Sequence, residues 1–282
     1  MYTVEPRDIM QTGMPDIVLV GCGGTGSLAA EGLCRLGVNS KLTLIDPDRV
    51  EEHNLRRQNF YEGDVGRFKS EVLATRLARQ YRRPVEYSVL PYEADMLDGT
   101  THGFTHKAMR KFIIGCVDNA AARIEIARKM PTYSWWLDAG NGHHSGQVFI
   151  GDTGTLEGLH KSFESFYNNV SHLPLPSLQQ PALLLPTVEP VRRDCAEAVR
   201  DEEQSPVINQ AMAMLVVEFT HRFLTRRLSW MQAYIDLDAG TLNTVAATPH
   251  AVAKMLSMKE KFLTEERCDH GRAFSQPENE GD

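Results

Sequence analysis

Apolar residues along this chain come as short unbroken runs and as stripes spaced three or four residues apart. Residues 17–20 form an apolar run closed by Gly21, Gly23, Gly24 and Gly26. Such a run predicts a buried strand that stops abruptly. Leu28, Leu33 and Leu36 then take helical spacing as far as Gly37, and residues 41–46 predict a second strand. A strand, a crossover helix and a second strand this close together make a right-handed βαβ unit of a parallel sheet. Val72, Leu73, Leu77 and Tyr81 share one stripe of an amphipathic helix over 69–81. Residues 85–92 alternate as a third strand and 111–118 form a fourth, followed by a helix over 119–129. Two more strands, 135–138 and 147–150, are joined through Gly140-Asn141-Gly142.

Between these elements, residues 47–66 show no period and predict a long loop with one helical turn, the kind of segment that carries function. At about residue 152 the texture changes. Prolines 174, 176, 181, 186 and 190 punctuate residues 152–195, which predicts an irregular, partly mobile excursion. The helix over 207–226 is the most apolar in the chain, with Met212, Met214, Leu215, Val216, Val217 and Phe219 nearly all round it. That pattern predicts burial at a subunit interface, hence a homodimer. Residues 234–237 and 241–246 flank Asp238-Ala239-Gly240 as a hairpin, and 251–263 predict a last helix. The fold class is therefore α/β: a Rossmann-like, mostly parallel sheet with helices on both faces, then a C-terminal β-hairpin and helices. We read residues 1–282 as a single domain. Its parts are a short N-terminal arm (1–15), a nucleotide-binding core (16–150), a proline-rich crossover loop (152–204), a C-terminal helix and hairpin part (205–263) and a polar disordered tail (264–282).

Composition narrows the function. Hydrophobic residues make up 42% and charged residues 24% of the 282, as in an ordinary globular protein. A net charge of −7 argues against nucleic acid as a partner. No apolar stretch approaches the roughly 18 residues that predict a membrane span, and the first ten residues lack a signal-peptide pattern. The five cysteines never form a CxxC pair, which points to a reducing, cytoplasmic setting and against a structural zinc.

Gly21-x-Gly23-x-x-Gly26 after a strand, with Asp46 ending the next, is a dinucleotide fingerprint. Glycines let backbone N–H groups reach phosphate oxygens, and the aspartate accepts ribose hydroxyls. This serves NAD as well as ATP. Asn54, Arg56, Arg57 and Gln58 follow the ribose position, Lys69 opens a helix, and Asp118 ends a strand at the carboxyl edge. Guanidinium and ammonium groups clamp phosphates, and a carboxylate beside a triphosphate suits Mg²⁺. An NAD-dependent oxidoreductase leaves Arg57, Lys69 and Asp118 without a task. A non-catalytic subunit of a heterodimeric activating enzyme would be expected to lack them. Cys22 and Cys116 read as packing residues, and His143-His144 as solvated.

The segments GCGGTGS, LIDPDRVEEHNLRRQ, Gly66-Arg67-Phe68-Lys69 and CVDNAAAR closely resemble the ThiF/MoeB and ubiquitin-activating-enzyme superfamily across residues 16–130. The resemblance implies ATP-dependent adenylation of the C-terminal carboxylate of a small β-grasp protein, ubiquitin-like or sulfur-carrier. It implies Asp46 on the ribose, Asn54, Arg57 and Lys69 on the phosphates, Gln58 supporting Arg57, Asp118 on Mg²⁺, and Asp48 within the same motif. Arg56 occupies a variable position of that motif and is read as solvated. Asp138-Ala139-Gly140-Asn141, Leu185-Pro186 and Asp194-Cys195-Ala196-Glu197 are similar to the ThiF-family proteins of PRTRC gene systems. Cys195, in the crossover loop, would take the acyl group as a thioester or exchange sulfur. Arg192-Arg193 before it and a helix after it would lower its pKa. Two departures stand out. The zinc-binding CxxC pairs of the superfamily are absent, and only Arg7 offers a counterpart to the arginine that some members lend across a dimer.

Overall fold

The computed structural model describes residues 1–5, 14–93, 111–186 and 205–264. Arg7, Cys195 with Arg192 and Arg193, the second part of the crossover loop and the tail beyond residue 264 lie outside the described residues.

Five parallel strands build the core of an eight-stranded sheet: β2 (Asp16–Val20), β3 (Leu42–Ile45), β4 (Val85–Ser88), β5 (Lys111–Gly115) and β6 (Trp135–Asn141). Three antiparallel strands extend it: β7 (Ser145–Gly151), β10 (Trp230–Asp236) and β11 (Thr241–Ala246). The order is β11-β10-β7-β6-β5-β2-β3-β4. From β2 the chain winds outward through β3 and β4, then returns to place β5 on the other side of β2. The carboxyl ends of β2 and β5 thus flank a topological switch point, where open α/β sheets bind ligands.

Strand alternation sets the two layers. Ile17 and Leu19 of β2, with Phe112 and Ile114 of β5, point to one core, which they share with α1 (Gly24–Arg35), α2 (Lys69–Tyr81) and α5 (Pro206–Leu224). Val18, Val20, Ile113 and Trp136 point to the other, against Ile126 of α3 (Ala120–Lys129) and Leu175 before α4 (Pro176–Gln179). Helices therefore cover both faces, as the period-2 pattern requires of a parallel sheet.

Several boundaries differ from expectation for local reasons. The third strand stops at Ser88, and the loop over 47–66 holds two 3₁₀ turns, Glu52–Arg56 and Glu62–Asp64. The first part of the proline excursion is packed. Phe163–Glu164 (β8) and Asn169–Val170 (β9) join Thr3–Val4 (β1) in a three-stranded sheet, and Leu159, Phe163, Val170 and Leu173 are buried. Prolines there break the chain into short pieces without removing it from the core. The last helix is split at Ser257, whose φ is +53°, into α6 (Pro249–Met255) and α7 (Glu260–Thr264).

The apolar circumference of α5 has an intramolecular cause. Ile208, Met212, Leu215, Val216 and Phe219 are buried within this chain, and Val217 lies over Gly32 of α1. Val207 and Met214 are exposed. A helix wedged between the sheet and another helix needs apolar residues on most sides, so the expected subunit interface is not what explains the pattern. None of the described helices is long and apolar enough to cross a membrane.

Candidate functional site

A cleft of about 780 Å³ opens at the switch point, lined by the glycine turn, the end of β3, the 51–58 loop, Lys69, residues 116–119 and the β6–β7 turn. Each glycine of the turn answers to a different neighbour. Gly21 has φ +91°, and a Cβ there would lie 2.5 Å from the carbonyl oxygen of Cys116. A Cβ on Gly26 would overlap the Gly21 carbonyl, and one on Gly24 would overlap the amide of Asn209. Gly23 is different: a Cβ there would meet nothing within 4 Å. Protein packing requires three of the four glycines, whereas Gly23 borders open cleft. As N-cap of α1 it has no capping side chain to offer, and no acidic residue occupies the first turn. The uncapped N–H groups and positive end of a twelve-residue helix meet the cleft there, an arrangement that favours an anion.

Asp46 closes the turn from below. Its Oδ2 accepts the Cys22 N–H at 2.6 Å and its Oδ1 the Asp48 N–H at 2.8 Å. Burial raises its pKa, against the two backbone N–H groups that favour the ionised form. The carboxylate is fixed in place at the cleft wall, with lone pairs left to accept further hydrogen bonds.

The facing wall is made of side chains. Lys69 is buried to 8% exposure, and its ammonium lies 3.2 Å from the exposed carboxylate of Asp48. Asn54 is committed to the loop itself: its Oδ1 accepts the Glu51 N–H, and its carbonyl accepts the N–H groups of Arg57 and Gln58. Gln58 is buried, and among the described residues its Oε1 accepts no hydrogen bond. An orphaned acceptor at a cleft wall invites a donor from a ligand. Arg57 borders the cleft and Arg56 is exposed and outside its lining, as the solvated reading expects. The structure thus brings Gly21, Gly23, Gly24, Asp46, Asp48, Asn54, Arg57, Gln58, Lys69 and Asp118 to one cavity, with Gly26 behind the turn as a packing position.

Asp118 is exposed, and its Oδ1 accepts an N–H of Asn119 at 3.1 Å. Asn119 in turn caps α3 by accepting the Ala122 N–H. The segment is held from beneath by Arg123, a residue the sequence motif did not single out for a task. Its Nε contacts both oxygens of the fully buried Asp138, at 3.1 and 3.2 Å, and its Nη2 donates to the Val117 carbonyl at 2.7 Å. Burial pushes the Asp138 carboxyl up to about 6 despite the guanidinium beside it. Cys22 is buried and Cys116 half-buried beside the cleft, and desolvation raises the pKa of both thiols. Among the described residues no three His, Cys, Asp or Glu side chains gather as a metal centre. A second feature missed from sequence is a chain of polar contacts through Thr25, Asn141 and Asn209. Its one visible signal was an amide on the most apolar helix.

Comparison with known proteins accords with this geometry. Over 118 residues, 39% of this chain, it is 34% identical to ubiquitin-like modifier-activating enzyme 5 of Xenopus laevis. Over 58 residues, 21% of this chain, it is 47% identical to the adenylyltransferase and sulfurtransferase UBA4 of Yarrowia lipolytica. The matched regions span only 29% and 14% of those two relatives. The fold is similar to E. coli MccB solved with ATP, with a TM-score of 0.51 at 17% identity over 83% of this chain and 64% of that one. The ThiF family profile matches residues 11–258, and the chain belongs to the ThiF family.

Proposed function

We propose that this protein adenylates the C-terminal carboxylate of a small β-grasp protein, ubiquitin-like or sulfur-carrier, at the expense of ATP. The observation that carries this reading is the pairing of an open glycine at an uncapped helix start with Arg57, Lys69 and Asp118 around one cleft. A nicotinamide dinucleotide would need the first wall and Asp46 but not the second. The names of the relatives, an activating enzyme and an adenylyltransferase, support the same choice.

In this reading the glycine turn and the N-terminus of α1 seat the phosphates and Asp46 orients the ribose. A carboxylate oxygen of the carrier attacks the α-phosphorus, the α–β phosphoanhydride bond breaks, and pyrophosphate leaves with the bonding electrons. Arg57 and Lys69 offset the negative charge that builds up as two anions meet, so the protein contributes orientation and fixed charge. Lys69 exchanges its Asp48 partner for phosphate oxygens. A single exposed carboxylate fits an ion that arrives with its nucleotide: Mg²⁺ would be held by Asp118 and phosphate oxygens, and would supply further charge neutralisation. A second step falls to Cys195, whose thiolate would attack the acyl carbon of the adenylate and release AMP, leaving a thioester.

ATP–pyrophosphate exchange in the presence of a β-grasp protein encoded beside this gene tests the first step. We expect exchange that depends on the carrier's C-terminal carboxylate and falls at least about a hundredfold in Asp118→Ala and Lys69→Ala. Exchange indifferent to both substitutions would sink the mechanism. For the second step, a conjugate released by thiols and absent in Cys195→Ser is the expected result. Adenylation without any such conjugate would confine the protein to the first step.

A further inference from the structure

Asn209 is an anomaly on α5. It is fully buried in the first turns of the most apolar helix of the chain. A buried amide is costly unless its groups are paired, and both ends of this one are. Its Nδ2 donates to the carbonyl oxygen of Arg57 at 3.2 Å, and its Oδ1 accepts from Nδ2 of Asn141 at 3.1 Å. The Asn141 Nδ2 also donates to the Gly142 carbonyl, and its Oδ1 accepts the Thr25 hydroxyl at 3.2 Å. Thr25 lies in the first turn of α1, beside Gly24, whose missing Cβ leaves the room that the Asn209 amide occupies. One amide thus joins three walls of the cleft: the glycine turn, the end of β6 and the arginine loop.

The loop has other anchors as well. The Asn59 N–H donates to Ser27 Oγ at 2.9 Å, and Arg76 donates to the Asn59 carbonyl. Arg57 itself follows the 3₁₀ turn Glu52–Arg56 and sits in a non-helical conformation, with its N–H returned to the Asn54 carbonyl. Its peptide oxygen takes a hydrogen bond from the C-terminal half of the chain.

We propose that Asn209 is a positioning residue for Arg57. By holding the Arg57 carbonyl at a fixed distance from the glycine turn, it sets where the guanidinium meets the outer phosphates. The proposal rests on the adenylation reading, in which Arg57 binds phosphate. It makes Gly24 a packing partner of that device as much as a phosphate-facing glycine. Loss of the tie lets the loop shift, and a small displacement of a charged clamp is costly.

The test is calorimetric titration of Mg-ATP, and separately of AMP, into wild type, Asn209→Leu, Arg57→Ala and the double variant. Thermal unfolding is followed in parallel. Asn209→Leu is expected to weaken Mg-ATP about tenfold while AMP changes less than about threefold, because only the outer phosphates lose their clamp. The double variant should bind Mg-ATP no more weakly than Arg57→Ala, since the two substitutions act through one group. Equal weakening of both nucleotides, or fully additive losses in the double variant, overturns the proposal. If Asn209→Leu does not fold, Asn209→Asp takes its place, keeping the size and an acceptor for Asn141 while losing the donor to Arg57. Mg-ATP binding by Asn209→Asp at wild-type strength would equally overturn it. Should wild type itself fail to bind Mg-ATP, the adenylation reading falls and this inference with it, an outcome distinct from wild-type binding that ignores Asn209.

Discussion

Two turns face each other at the switch point of the sheet, and they are held by opposite means. After β2 the chain is fixed by contact: Gly21, Gly24 and Gly26 sit where neighbouring atoms leave no room for a Cβ, and Asp46 binds the turn through a backbone N–H. After β5 the chain is fixed by a charged clamp, with Arg123 between the buried Asp138 and the Val117 carbonyl and Asp118 left exposed above. The first construction yields a rigid cradle whose chemistry belongs to the backbone. The second presents a side chain to the cleft and depends on a buried ion pair for its shape. A wall built by packing is sensitive to volume, and a wall built by a clamp is sensitive to charge and pH.

The largest effect should come from breaking the clamp. Arg123→Leu strands the Asp138 carboxylate without a counter-charge, and denaturant unfolding at neutral pH should show a loss of about 4 kcal/mol. A cost below about 1 kcal/mol would mean the clamp does not hold the β5 turn. On the packed side, Gly26→Ala drives a Cβ into the Gly21 carbonyl and should cost about 3 kcal/mol by the same measurement, with Arg123 untouched. The pH response separates the two walls further. Asp138 titrates at about 6 in the folded state, above the value of about 3.9 for an exposed aspartate. Its contribution to stability is therefore fully present below about pH 4 and is lost as the pH rises through 6, up to about 3 kcal/mol in all. Asp138→Asn should flatten that part of the stability profile, and an unchanged profile would remove Asp138 as its source. The smallest change in stability belongs to Gly23→Ala, at about 0.5 kcal/mol or less, because nothing in the protein meets its Cβ. The same substitution should weaken Mg-ATP about tenfold if a phosphate occupies that space.

The contrast also explains what was legible in the chain before its structure. The packed wall is local. A run of apolar residues, four glycines and an aspartate about twenty residues on state a strand, a turn and a carboxylate at the end of the next strand within one βαβ unit. The stripe of α2 was readable to the residue because Val72, Leu73 and Leu77 repeat with helical period against one core. That Lys69 and Asp118 lie near one cleft was legible because Lys69 opens α2 and Asp118 follows β5, although that strand stops at Gly115 and not at the expected Asp118. The clamp and the Asn209 tie were not, since their partners lie 15 and 152 residues apart and no local pattern links them. The apolar circumference of α5 was ambiguous for the same reason. A helix covered on most sides by its own chain and one covered by a second subunit carry the same pattern, and only the contact with α1 and the sheet distinguishes them. Prolines over 152–186 marked interruptions correctly, yet they do not reveal that Leu159, Phe163 and Leu173 anchor the pieces.

The central claim is that the charged wall turns a dinucleotide cradle into a site for a triphosphate. Titration of Mg-ATP and of NAD into wild type and Lys69→Ala addresses it without any carrier protein. The account predicts that wild type binds Mg-ATP in preference to NAD, and that Lys69→Ala loses about tenfold or more of its Mg-ATP affinity with NAD unaffected. Tighter binding of NAD than of Mg-ATP by wild type, with neither altered in Lys69→Ala, would contradict it.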